Sequence, residues 1–196
     1  MSGRRDRQVA GAEVEELAPA DDVALLRGVA ERDPVSVRRL LDEVAPTVYG
    51  YLYARVGGKE PVAEDLLQET LLEAVRSARS FRGDSALSTW LCAIARRRLS
   101  RYYERERRTE AARAGLRLAL APDPDLEEDA LERRDEVVRA LGRIPASYRQ
   151  VLVLKYLDGL AVEDIAAELG RTRIQVQSLL QRARDRLRRE LGEDRD

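Results

Sequence analysis

In the run Leu160-Ala161-Val162-Glu163-Asp164-Ile165-Ala166-Ala167-Glu168-Leu169-Gly170-Arg171-Thr172-Arg173-Ile174-Gln175-Val176-Gln177-Ser178-Leu179-Leu180, small Ala166 is followed by Gly170 and then Val176. Ala166 suits a point where two helices cross closely, Gly170 permits the left-handed backbone of a tight turn, and Val176 suits the core between the helices. The spacing reads as a helix-turn-helix, with Thr172 capping the second helix. That helix presents Arg171, Thr172, Arg173, Gln175, Gln177 and Ser178 outward at its N-terminal end. This is the end where a recognition helix meets base edges in the major groove. Arg182, Arg184, Arg186 and Arg188 continue the positive charge towards phosphates. An ordinary antiparallel helix pair with a basic tail is the competing reading.

The rest of the chain is also written for helices. Leu, Ala, Val, Arg and Glu dominate, with one Phe and one Trp, so the expected fold is all-α. Residues 1–20 have no period and read as a disordered tail. Residues 21–108 read as a first helical domain. Within it Asp33-Pro34 marks a helix start, Pro46 a kink or break, and Gly57-Gly58 a helix end. A helix from about Pro61 carries Leu67, Leu71, Ala74 and Ala78 on one stripe, which Leu66 and Val75 widen towards the core. On another side of it Asp65, Gln68 and Glu69 form a compact acidic and amide patch. Asp84 or Ser85 is expected to cap the next helix, where Trp90 shares a face with Leu87, Leu91 and Ile94. The acidic, proline-interrupted residues 109–129 read as a linker, and residues 130–192 as a second small helical domain.

Charge is segregated along the chain, and the net charge of -1 hides this. From Arg96 to Arg113 eight arginines outweigh three glutamates, from Asp123 to Glu136 eight carboxylates outweigh two arginines, and from Arg171 to Arg189 seven arginines face only Asp185. Two basic stretches separated by an acidic one suit two sites for a polyanion joined by a segment that avoids it. A single cysteine and no histidine exclude an internal disulfide, a His/Cys zinc site and histidine acid-base catalysis. No metal or cofactor is expected. The N-terminus lacks the apolar stretch of a signal peptide, and no run approaches the roughly 20 apolar residues of a membrane span, so a cytoplasmic protein without membrane insertion is expected. The tripeptide Arg82-Gly83-Asp84 is then no adhesion signal. It needs no special explanation in an arginine-rich chain.

Two blocks in order resemble the extracytoplasmic-function (ECF) group of sigma factors of the sigma-70 family. Ala63-Glu64-Asp65-Leu66-Leu67-Gln68-Glu69-Thr70, with Phe81-Arg82-Gly83-Asp84-Ser85-Ala86-Leu87-Ser88-Thr89-Trp90-Leu91 and Ile94-Ala95-Arg96, resembles region two. The helix-turn-helix, ending in Gln181-Arg182-Ala183-Arg184-Asp185-Arg186-Leu187-Arg188, resembles region four. The resemblance implies two helical domains joined by a flexible acidic linker and a polymerase subunit without catalytic residues. It also implies partners: core RNA polymerase (its largest-subunit clamp helices and its flap), promoter DNA and an anti-sigma factor. By the same resemblance, Asp65, Gln68 and Glu69 bind polymerase. Arg82, Gly83, Asp84, Ser85, Arg96, Arg97 and Arg101 bind the minus-ten element, and Arg171, Thr172, Arg173, Gln175, Gln177, Ser178 and Arg182 the minus-thirty-five element. The chain departs from the family's usual residues at Val75, Arg97, Gln177 and Leu179. A free-standing regulator using the helix-turn-helix without polymerase is the alternative. An enzyme is disfavoured, since no phosphate-cradling glycine loop or metal set appears.

Overall fold

Asp33 and Pro34 do what the sequence predicts. The Asp33 carboxylate accepts the Ser36 amide at 2.8 Å and the Ser36 hydroxyl at 2.6 Å, and Pro34 opens a helix whose first turn needs no amide donor. These hydrogen bonds favour the ionised carboxyl and hold its pKa below the usual value.

The computed structural model describes residues 19–114 and 130–192. The expectations for residues 1–18 and for residues 115–129 of the linker lie outside these. The helices are α1 (Pro19–Ala30), α2 (Pro34–Arg39), α3 (Ala45–Val56), α4 (Glu60–Arg76), α5 (Leu87–Ala114), α6 (Ala130–Arg143), α7 (Ala146–Leu152), α8 (Val162–Leu169) and α9 (Arg173–Glu190). The break expected at Pro46 is a widened turn, Leu40–Val44, after which Pro46 sits in the first turn of α3. A second widened turn, Val153–Leu157, prolongs α7. The described residues form no strand.

Helices α1–α5 close round one core that includes Leu26, Val48, Leu52, Leu66, Leu87 and Leu91. Helices α6–α9 close round another, with Leu141, Val151, Ile165, Val176 and Leu180. Three expectations need correction. The buried stripe of α4 is Ala63, Leu66, Thr70 and Ala74, so Val75 and Leu72 face outward rather than towards the core. The Thr70 hydroxyl is satisfied inside that core by the Leu66 carbonyl at 2.7 Å. The start of α5 is capped by neither Asp84 nor Ser85: buried Asp22 of α1 reaches across to accept the Leu87 amide at 2.7 Å. Finally, α5 continues beyond Arg108 to Ala114.

The later turns of α5 bring Glu106 to the second domain, and the extra length adds Glu110. Arg149 of α7, only 1% exposed, donates to Glu106 at 2.6 Å and to the Val56 carbonyl at 3.1 Å. Glu106 also takes Lys59 at 2.8 Å, and Glu110 accepts the Ala146 amide at the start of α7. Arg55 lies over the Tyr51 ring and pairs with Asp158 at 2.6 Å. Gly57, at φ 72°, ends α3 in the left-handed region and packs backbone to backbone against Gly142 of α6. A Cβ on Gly142 would lie 2.3 Å from the Gly57 carbonyl oxygen, so neither position has room for a side chain in this packing.

Burial alone would raise the Glu106 pKa, but the Lys59 hydrogen bond and the Arg149 charge outweigh it and the pKa is lowered. A lowered folded pKa means the Glu106 contribution is complete above the unfolded carboxylate value of about 4.3 and disappears as pH falls through the folded one. Denaturant unfolding of the wild type should therefore lose more stability between about pH 5 and pH 3 than Glu106→Gln does. Arg149→Ala should cost about 3 kcal/mol in the same assay, and Arg149→Met clearly less, because an apolar chain of similar length leaves no buried cation to satisfy.

Candidate nucleic-acid interface

The turn between α8 and α9 follows from Gly170, which adopts φ 60° as the C-cap of α8. Thr172 then starts α9 with a reciprocal cap: its hydroxyl accepts the Gln175 amide at 3.2 Å, and the Gln175 side chain accepts the Thr172 amide at 2.8 Å. Val176, Leu179, Leu180 and Ala183 form the buried face of α9, against Ile165 and Ala166.

Arg171, Thr172, Arg173, Gln175, Gln177, Ser178 and Arg182 are all exposed; the first six lie together at the start of α9 and in its preceding turn, and Arg182 follows one turn beyond Ser178, in the middle of the helix. They are not equally free. Gln175 is committed to the cap, Arg173 pairs with Glu163 at 3.2 Å, and the Arg182 Nε donates to the Ser178 carbonyl at 3.3 Å. Gln177 and Ser178 present side chains without such ties among the bonds of the described residues. Between them and Arg171 stands Ile174, 77% exposed and opposite the buried face. Sequence reading passed it over because an isoleucine in a helix is normally counted with the core. Its offset from Val176 and Leu180 places it on the other side.

On α4, Asp65 and Gln68 are exposed, while Glu69 shares Arg98 with Glu73, at 3.4 Å and 3.0 Å. Exposed Leu72 and Val75 continue the same side of the helix at i+7 and i+10 from Asp65. The predicted acidic patch is thus the N-terminal half of a longer stripe whose other half is apolar.

The loop Phe81–Ala86 precedes α5. Its Arg82, Asp84 and Ser85 are exposed and Gly83 takes φ 77°. Phe81 is buried and packs against half-buried Trp90, ring centroids 5.2 Å apart and planes tilted by 50°, anchoring the loop to the helix. Arg97 and Arg101 are exposed one turn apart on α5, about 15–20 Å along the helix from the loop at ~1.5 Å per residue. Arg96 is different: it pairs with Glu168 of α8 at 2.6 Å. Partial burial disfavours its charge, but the hydrogen bond to Glu168 and that residue's charge prevail and raise its pKa.

Sigma-70 region 2 matches residues 40–109, and Sigma-70 region 4 matches residues 134–187. An ECF RNA polymerase sigma factor EcfG of Rhodopseudomonas palustris is 34% identical over 67% of this chain and 72% of its own length. The chain belongs to the ECF group of RNA polymerase sigma factors. The ECF sigma factor BldN of Streptomyces coelicolor is 32% identical over 80% of the chain, which spans 60% of BldN. Among solved structures, the sigma factor RpoE in complex with the anti-sigma factor NepR from Bartonella quintana is 28% identical, covering 83% of this chain and 99% of its own, with a TM-score of 0.46.

For this sigma factor the unusual residue Leu179 has a plain account: it is buried and completes the core of the helix pair, leaving Gln177 as the substitution that changes the exposed surface. Thr172→Ala should lower stability by about 1 kcal/mol in chemical denaturation, as expected for a lost N-cap. Gln175→Ala should do so by a similar amount.

Proposed function

We propose that this sigma factor acts in the cytoplasm, binds core RNA polymerase through α4, opens the minus-ten element along the loop and the middle of α5, and reads the minus-thirty-five element with α9. The observation that carries this reading is the recognition end of α9, where six predicted contact residues are exposed together while Leu179 is buried. The chain supplies recognition and no chemistry of its own. Since recognition is divided between two domains, each site works at a high effective concentration once the other is engaged, so neither needs to bind tightly alone. This favours a polymerase subunit over a free-standing regulator.

Asp65, Gln68 and Glu69 would meet a basic helical partner, with Leu72 and Val75 giving that partner an apolar anchor. Arg97 and Arg101 would follow the displaced strand's phosphates while Arg82, Gly83, Asp84 and Ser85 hold an unstacked base. On the second domain an apolar groove of about 330 Å³, lined by Leu141, Leu152, Leu187 and Leu191 and flanked by Arg184 and Arg188, suits the polymerase flap. An anti-sigma factor would compete for these surfaces. In the major groove Gln177 and Ser178 would read polar base edges and Ile174 a thymine methyl, the apolar mark that separates thymine from cytosine.

Asp65→Arg combined with Leu72→Ala should abolish co-purification with core polymerase while circular dichroism stays unchanged; retained holoenzyme would remove α4 from the interface. Replacing thymine by deoxyuridine at each minus-thirty-five position in turn should weaken wild-type holoenzyme about fourfold at one position, the value of one buried methyl group, and should leave Ile174→Ala unaffected there. No methyl-sensitive position in a promoter that still needs its minus-thirty-five element would exclude the Ile174 contact.

A further inference from the structure

Among the described residues one carboxylate is buried, that of Asp22 in the first turn of α1. A buried carboxylate is costly unless it is hydrogen-bonded, and this one accepts the Leu87 amide at 2.7 Å across 65 positions of sequence. Leu87 opens the 28-residue α5, so the negative charge also faces the positive end of a long helix dipole. The bond does more than finish a helix. Leu87 is the residue at which the loop Phe81–Ala86 enters α5, and Asp22 fixes that point from outside the loop.

The other end of the loop is fixed as well. Phe81 is buried against Trp90, and its amide donates to the Ala78 carbonyl at 3.2 Å in the short turn Ala78–Ser80. Helix α1 packs on that turn and on α5, and so braces both ends of the loop. Between the ends, Arg82, Gly83, Asp84 and Ser85 are tied by little: among the bonds of the described residues only the Ser85 hydroxyl donates, to the adjacent Ala86 carbonyl at 3.5 Å. A short span without a hydrogen-bond frame of its own takes its shape from where its ends are held.

We propose that Asp22 is a positioning residue for minus-ten recognition: by holding the Leu87 amide it sets the shape in which Arg82, Gly83, Asp84 and Ser85 receive an unstacked base. At 4% exposure Asp22 lies too deep to touch DNA itself. It also precedes residues 40–109, the part of the chain that region 2 matches, so base selection draws on a helix outside that segment. The inference rests on the reading of the loop as the base-holding element. A loop that keeps its binding shape one time in ten holds the base about tenfold more weakly, with its contact residues unchanged.

The test uses holoenzyme and a labelled single strand carrying the non-template minus-ten sequence that wild-type holoenzyme selects, read by fluorescence anisotropy. The strand is offered intact and with an abasic site at each minus-ten position in turn. Wild type should lose about tenfold at the position whose base the loop holds, and the double variant Arg82→Ala, Asp84→Ala should not distinguish the two strands there. Asp22→Ala should bind the intact strand about tenfold more weakly than wild type and be indifferent to the same abasic site, with the losses at other positions unchanged. Asp22→Asn keeps an acceptor oxygen at the same reach and should keep the wild-type pattern. Asp22→Ser stops one bond short of the amide yet suits the first turn of a helix, and it serves if the alanine chain does not fold. A folded alanine or serine variant that weakens every strand alike, or that keeps the full abasic loss, would overturn the positioning role while leaving the loop reading intact. An abasic loss that persists in the Arg82, Asp84 double variant, or that wild type shows at no position, would overturn the loop reading and this inference with it.

Discussion

Arg149 is the residue on which the arrangement of the domains turns. It is 1% exposed, carries a permanent charge, and is held by one carboxylate from α5 and one carbonyl from the end of α3. Such a group is costly to bury and much more costly to leave unpaired. Its partners must therefore be where they are. Helix α5 has to continue to Glu106 and beyond, and α3 has to end at Val56 so that a carbonyl is free, while half-exposed Lys59 takes the other oxygen of Glu106 from the solvent side. Around that node the neutral contact of Gly57 with Gly142 sets how close the domains come.

The same face contains polar groups that can open as well as close. Ion pairs lose less on separation than apolar surface does, because water resolvates both partners. The boundary here carries Arg55–Asp158, Arg149–Glu106 and Arg96–Glu168. A boundary made of leucine would favour permanent attachment. The two domains thus remain separate folding units, each with its own core, and the first core takes in Ala146 at the start of α7.

Much of this was legible in the residues because local chemistry decided it. Ala166, Gly170, Thr172 and Val176 specify the helix-turn-helix through backbone freedom, capping and period, all short-range effects, and the structure has each in the expected role. Asp33-Pro34 and Pro46 were readable for the same reason. What escaped were effects of long range. Asp22 caps α5 across 65 positions of sequence, displacing the nearby Asp84 and Ser85, and no local pattern records that. Val75 was assigned to the core by its type, but the small residues Ala63 and Ala74 with hydroxyl-bearing Thr70 are what α4 buries, since close packing against α3 and α5 leaves little room. Glu168 looked like ordinary surface on a helix, and only the packing of the two domains reveals that it faces Arg96.

The central claim is that Arg149 and its partners hold the two domains in one arrangement in the free chain. With Cys92→Ser removing the native thiol, spin labels on cysteines introduced at exposed Arg76 and Asp164 report the distance between the first and second domains. The account predicts a single narrow distance distribution in the free chain that broadens in Arg149→Ala. A broad distribution with Arg149 intact, or an unchanged narrow one in Arg149→Ala, would contradict it.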